Sequence, residues 1–221
     1  MRSPRCSLVI PFFQEEGNIL PLMERINPVL AQLDSDFEAL LVDDGSTDRT
    51  AAELAAIALN EPRYRVLTLP HNRGQAAALL HGLQQARGKF ILTLDGDGQN
   101  DPQDFPALLA PVENDEADVM CGWRVDRHDS NLRRAMSRLA NFVRGSILHD
   151  GIHDAGCQLR VFRREVVAAL LPSPMMQAFL PAMAVAAGFR VSEMPVRHLP
   201  REHGVSKYGF RKLWWRPFRE T

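Results

Sequence analysis

The feature that most constrains this fold is a repeated order through residues 7–94: a short apolar run, a polar cluster, then a helical period. Ser7–Ile10 ("SLVI") reads as a strand, and a helix follows over Glu16–Leu33, with Ile19, Leu22, Met23, Ile26 and Leu30 at helical spacing. Ala39–Val42 is a second strand, stopped by Asp43-Asp44-Gly45; Ser46 or Thr47 then offers an N-cap for a helix over Asp48–Leu59. The strand Arg65–Leu69, a helix over Gly74–Ala86 and the strand Lys89–Leu94 complete the series. Strands separated by helices of this length predict an α/β fold, a mainly parallel central sheet with helices on both faces. Functional loops in such a sheet lie at the carboxyl ends of strands. Pro11–Glu15, Asp43–Ser46, Pro70–Gly74 and Asp95–Gln99 therefore fall along one rim.

The second half is less regular. Asp118–Gly122 reads as a strand and Asn131–Leu148 as a basic helix carrying Arg133, Arg134, Arg138 and Arg144. "CQLRVFRREVVAALL" reads as a strand running into a helix, and "FRVSEMPVRH" as a late strand. With 221 residues, 45% of them hydrophobic, the chain suffices for one large domain with a sizeable core. A net charge of −1 gives no whole-protein attraction to nucleic acid, and no recognition motif for it is present. Cys6, Cys121 and Cys157 are odd in number, lack zinc-type spacing and read as reduced thiols. The opening "MRSPRCSLVIPFF" has too short an apolar run for a signal peptide, and "AFLPAMAVAAGF", interrupted by Pro181, is too short to span a membrane. The expectation is a cytoplasmic protein, soluble or peripherally attached to a membrane.

The rim's sharpest element is "ILTLDGDGQNDP", where an apolar strand ends in Asp95 and Asp97. A tight turn would account for small polar residues there. An EF-hand does not fit, since Asn100 stands where the loop requires glycine and Pro106 where it requires glutamate. Rossmann and P-loop glycine patterns are absent as well. Two carboxylates at a strand end suit Mg²⁺ or Mn²⁺, which commonly takes one or two carboxylates and completes its shell with water and substrate phosphate oxygens.

"VIPFFQEEGNI", "LLVDDGSTDRT", "NRGQAAALLHGL" and "LTLDGDGQNDP" occur in that order at successive strand–helix junctions. In this the chain resembles the family 2 inverting glycosyltransferases of GT-A fold. Across residues 6–210 it is most similar to the polyprenyl-phosphate branch, the dolichol-phosphate mannosyltransferases and undecaprenyl-phosphate sugar transferases. "CGWR", "DAGCQLRVFRR" and "REHGVSKYG" are of that branch's type. The resemblance implies a GT-A catalytic domain over 1–206 and a basic, aromatic tail over 207–221.

It also implies roles. Pro11, Phe13 and Glu15 would surround the nucleoside and Asp43 would read its base or ribose; Asp44, Ser46 and Asp48 are better explained by capping and turns. Asp97 would be the direct metal ligand, with Asp95 nearer the ribose or bound through water, and Gln99 in support. Gly96 would permit close backbone approach to the sugar nucleotide. Arg124 matches an arginine near the sugar nucleotide or acceptor, and Arg134 and Ser137 match acceptor-phosphate positions. Arg201 and Lys207 fit an R-x-x-G-x-S-K pattern whose cations hold the diphosphate. Asp154 occupies the catalytic position, as a base for a hydroxyl acceptor or as an orienting group for an already ionised lipid phosphate. Departures from the family pattern are Phe13-Gln14 for tyrosine and asparagine, Gly96 and Gly98 for alanine and leucine, Ala155 for threonine, and Gln177-Ala178 where a basic residue is common.

The implied reaction moves a sugar from a UDP- or GDP-linked donor to a polyprenyl phosphate by one metal-assisted, inverting displacement. A saccharide or other hydroxyl acceptor is the alternative within the family, and a non-catalytic sugar-nucleotide-binding protein the alternative outside catalysis. In "KYGFRKLWWRPFR" five cations interleave with Tyr208, Phe210, Trp214, Trp215 and Phe218, a composition suited to a membrane interface or to packing on the domain. Many relatives continue into transmembrane helices beyond this point. Donor sugar and oligomeric state stay open.

Overall fold

The computed structural model describes residues 3–33, 36–125, 145, 148 and 150–200. The expected basic helix over 131–148, with Arg134 and Ser137, and the segment carrying Arg201 and Lys207 fall almost wholly or wholly outside the described residues.

Strands β1 (Cys6–Phe12), β2 (Phe37–Asp43), β3 (Tyr64–Thr68), β4 (Phe90–Thr93), β5 (Val119–Arg124), β6 (Arg160–Arg163) and β7 (Val191–Val196) form one sheet. Its order is β3-β2-β1-β4-β6-β5-β7. β1 pairs in parallel with β2 and β4, and β2 with β3, as the strand–helix alternation predicts. β5 and β7 are also parallel, whereas β6 runs antiparallel to both β4 and β5. That reversal was not expected from the sequence.

Both sheet faces are covered by helices, and the strand residues alternate between them. Leu8, Ile10, Leu41 and Leu92 belong to the core under α1 (Ile19–Leu33), α2 (Thr50–Asn60) and α4 (Phe105–Glu113). Val9, Leu40, Val42 and Ile91 face the opposite core, under α3 (Gln75–Gln85) and α5 (Met176–Ala186). Near-continuous apolar runs are what a strand buried on two faces requires.

Two local expectations are corrected. Neither Ser46 nor Thr47 caps α2: Ser46 Oγ accepts the Gln14 amide at 3.1 Å and Thr47 Oγ1 accepts Gln14 Nε2 at 2.7 Å. Asp48 does that work, accepting the Thr50 amide at 3.0 Å. After β6 the chain makes only a short 3₁₀ helix, Arg164–Ala169, while α5 forms in the run interrupted by Pro181. The proline lies in the second turn and is buried, so packing on the apolar face outweighs its local cost.

Candidate functional site

Each of the first four parallel segments delivers its polar cluster to the rim where the sequence places it. After β1, Phe13 is partly exposed and Glu15 is buried, its Oε2 accepting Asn18 Nδ2 at 2.6 Å and its amide donating to Thr50 Oγ1 at 2.9 Å. Pro11 stands in β1, opposite Val42 of β2. Asp43, 1% exposed, ends β2 and accepts the Ser46 amide at 3.0 Å. Asp44 ties this turn to the next loop, accepting from Asn72 Nδ2 and from the amides of Arg73 and Gly74 at 2.8–2.9 Å. Asp44 and Asp48 therefore carry out the turn and capping work expected of them.

The loop after β4 is held from three sides. Asp95 accepts a hydrogen bond from Gln75, the first residue of α3, and its amide donates to Asn100 Oδ1 at 3.3 Å. Asp97 Oδ1 accepts the Gln99 amide at 3.1 Å, and the Gln99 carbonyl accepts the Leu199 amide at 2.8 Å. Asn100 also forms a β-bridge with His198, and Arg197 next to it pairs with Asp101 and Asp104, each at 3.2 Å. The chain entering the R-x-x-G-x-S-K pattern is thus stitched to the double-aspartate loop.

At Gly96 the close approach is to the protein's own ring: a Cβ would lie 2.5 Å from Phe12 Cδ1 and 2.9 Å from the Pro11 carbonyl oxygen. Packing of the loop on β1 already demands glycine there.

Asp95 sits at the mouth of this loop, partly exposed, yet among enough protein atoms to disfavour its charge. Burial first, and the charge of Asp97 second, push its carboxyl up to about 7 against the pull of Arg124, Arg160 and the Gln75 hydrogen bond. Two crowded carboxylates with oxygen donors only are the donor set of a hard divalent cation. No group of three or more His, Cys, Asp or Glu suited to a metal occurs among the described residues.

Across the sheet, β5 delivers Arg124 to Asp154. Arg124 Nε donates to Asp154 Oδ2 at 2.7 Å and Nη2 donates to Oδ1 at 2.9 Å, a fork with the guanidinium mostly buried and the carboxylate more so. Cys157 follows in the same loop. Burial pushes its thiol up to about 12, in keeping with a packing role.

Several residues around the site were not singled out from sequence. Gln75 and Asn100 lay inside quoted motifs, and Gln75 opens a helix on the rim, which is a signal that was available. Arg160 and Glu193 also lay inside quoted segments, but what they hold was not legible, because Gln177 belongs to α5 and His153 lies 40 positions from Glu193.

The profile described as Glycosyl transferase family 2 matches residues 7–171. The chain is 39% identical over 218 residues to a dodecaprenyl-phosphate galacturonate synthase of Rhizobium johnstonii, covering 97% of this chain and 64% of that one. It is 39% identical over 209 residues to an undecaprenyl-phosphate 4-deoxy-4-formamido-L-arabinose transferase of Pseudomonas fluorescens, covering 94% of this chain and 61% of the relative. The chain thus spans less than two thirds of the length of these curated relatives. Among solved structures it superposes on glucosyl-3-phosphoglycerate synthase from Mycobacterium tuberculosis, in complex with Mn²⁺, UDP and phosphoglyceric acid, with a TM-score of 0.70 at 20% identity, covering 91% of this chain and 72% of the other. It superposes on S. aureus TarS in complex with UDP-GlcNAc with a TM-score of 0.63 at 17% identity, over 91% of this chain and 60% of that one. The fold is GT-A. With the profile covering most of its length, the chain belongs to glycosyl transferase family 2.

Proposed function

We propose that this chain is an inverting glycosyltransferase that moves a sugar from a nucleotide-diphosphate donor to a polyprenyl phosphate. The observation that carries the reading is the rim itself, where the double-aspartate loop and the Arg124–Asp154 fork are both delivered by strands of one sheet. The lipid-phosphate acceptor rests on the two relatives at 39% identity, each named for a polyprenyl phosphate.

Asp97 and Asp95 hold Mg²⁺ or Mn²⁺ in this reading, with Gln99 in support. These residues would hold the cation, which would supply charge neutralisation and Lewis acidity at the donor diphosphate. Pro11, Phe13, Glu15 and Asp43 line the nucleoside end, and Gly96 keeps the loop close to β1. Asp154 orients Arg124 toward the diphosphate and takes no proton, because a lipid phosphate with a second pKa near 6 is already largely ionised. Arg201 and Lys207 complete the diphosphate contacts, and Arg134 and Ser137 bind the acceptor phosphate. The 207–221 tail lies on the anionic cytoplasmic leaflet, its rings at headgroup depth.

The deciding experiment incubates purified protein and Mn²⁺ with UDP-galacturonate, UDP-glucose or GDP-mannose, with and without a short polyprenyl phosphate. Metal-dependent release of the nucleotide diphosphate, stimulated by the lipid, is the expected result. Donor binding with no transfer to any lipid phosphate would reject the acceptor. Asp97→Ala should lose metal-dependent turnover altogether, and a fully active variant would sink the metal assignment.

A further inference from the structure

Three consecutive residues, His153, Asp154 and Ala155, are each gripped by a charged side chain from a different strand. Glu193 of β7 accepts the His153 amide on Oε2 at 2.9 Å and pairs through Oε1 with the His153 ring. The ring in turn stacks on Trp123, with centroids 4.7 Å apart and planes 18° from parallel. Arg124 of β5 holds Asp154 in the fork described above. Arg160 of β6 donates from Nη2 to the Ala155 carbonyl at 2.7 Å and from Nη1 to the Gln177 carbonyl at the start of α5.

Arg160 is an unusual residue to find there. It is 1% exposed, its Nε has no partner among the described residues, and its recorded hydrogen bonds go to backbone carbonyls, none to a carboxylate. A cation buried without a bonded counter-ion is costly, and the hydrogen bonds it makes are the return. Those bonds fix the peptide that follows Asp154. Glu193, on an adjoining strand, fixes the peptide that precedes it.

We propose that Glu193 and Arg160 are positioning residues that hold Asp154, and with it Arg124, in the reacting geometry from either side. The inference rests on the function proposed above. Neither residue touches substrate; both act through a loop whose placement to within a fraction of an ångström decides how well Arg124 is aimed.

The test is a double-mutant cycle on the full chain, using Mn²⁺, a short polyprenyl phosphate and the most active of UDP-galacturonate, UDP-glucose and GDP-mannose. Glu193→Ala is expected to lower kcat about tenfold while the donor KM stays within about twofold, as for a group that sets geometry. Glu193→Gln, whose amide oxygen still accepts the His153 N–H, should recover most of the rate. In an Asp154→Asn background the same Glu193→Ala change should cost almost nothing, because the group it positions is gone. Arg160→Lys, keeping one donor for Ala155, should behave like Glu193→Gln. If Arg160 variants fail to fold, the partly exposed Glu193 keeps the test intact. A parental kcat in Glu193→Ala, or an equal loss in both backgrounds, would overturn the proposal while leaving the role of Asp154 standing. A parental rate in Asp154→Asn would overturn that role and this proposal together.

Discussion

Asp154 has both carboxylate oxygens engaged by Arg124, the arrangement of a group that orients a guanidinium. Asp154→Asn is therefore expected to lower kcat roughly 10–100-fold by letting Arg124 drift. The pH profile of kcat/KM between pH 5 and 8 should keep its parental shape, since the acceptor phosphate titrates near pH 6 in both proteins. A change in the shape of the acidic limb in the variant, where the acceptor phosphate and Asp95 still titrate, would identify Asp154 as a base instead. Cys157 makes a second prediction at this scale. All three cysteines are buried, and burial raises the Cys157 thiol to about 12. At pH 8 the native chain should react with a thiol reagent only as fast as it opens, and denaturant should release three thiols. Rapid labelling of Cys157 in the native state would contradict its packing role.

Among elements, the turn after β2 shows what is and is not written locally. Gly45 has φ +68°, and a Cβ there would lie 2.5 Å from the His71 carbonyl carbon, so both conformation and space demand glycine. Gly45→Ala should cost about 1–3 kcal/mol, a fall in Tm of roughly 3–10 °C for a chain this size, read by thermal melting. An unchanged Tm would mean that the 70–74 loop gives way freely. The run "DDGSTD" announces a turn, and its position at a strand end is legible from the apolar run before it. What Ser46 and Thr47 do is not legible, because Gln14, the residue they hold, lies over thirty positions away, across the gap between β1 and β2. The same reason hid β6. Its residues read as a strand, but the reversed direction depends on pairing Arg160 with Thr93 and Cys121, contacts that no local period encodes. The double-aspartate loop was legible for the opposite cause: Asp95, Asp97 and Gln99 are neighbours in sequence.

For the whole molecule, a net charge of −1 leaves no general attraction to an anionic bilayer, and no helix among the described residues is long and apolar enough to cross one. Any affinity for vesicles would have to come from a local segment. Removing residues 208–221, which spares Lys207, is expected to abolish sedimentation with phosphatidylglycerol vesicles at about 0.15 M salt while leaving donor hydrolysis measurable. Retention on vesicles after the deletion would place the contact elsewhere. The sheet order has a further consequence for how the chain is made. β4 and β5 are not neighbours, because β6 lies between them. Seventy residues (163 − 93) therefore separate the last residue of β4 from the last residue of its partner on that side. At about 5–20 residues per second of translation, the β4 edge waits roughly 4–14 s on the ribosome before it is covered. During that interval the nascent chain holds β1 to β4 with an open apolar edge beside them. Ribosome-associated chaperones should find their longest-lived target there, at Phe90–Thr93.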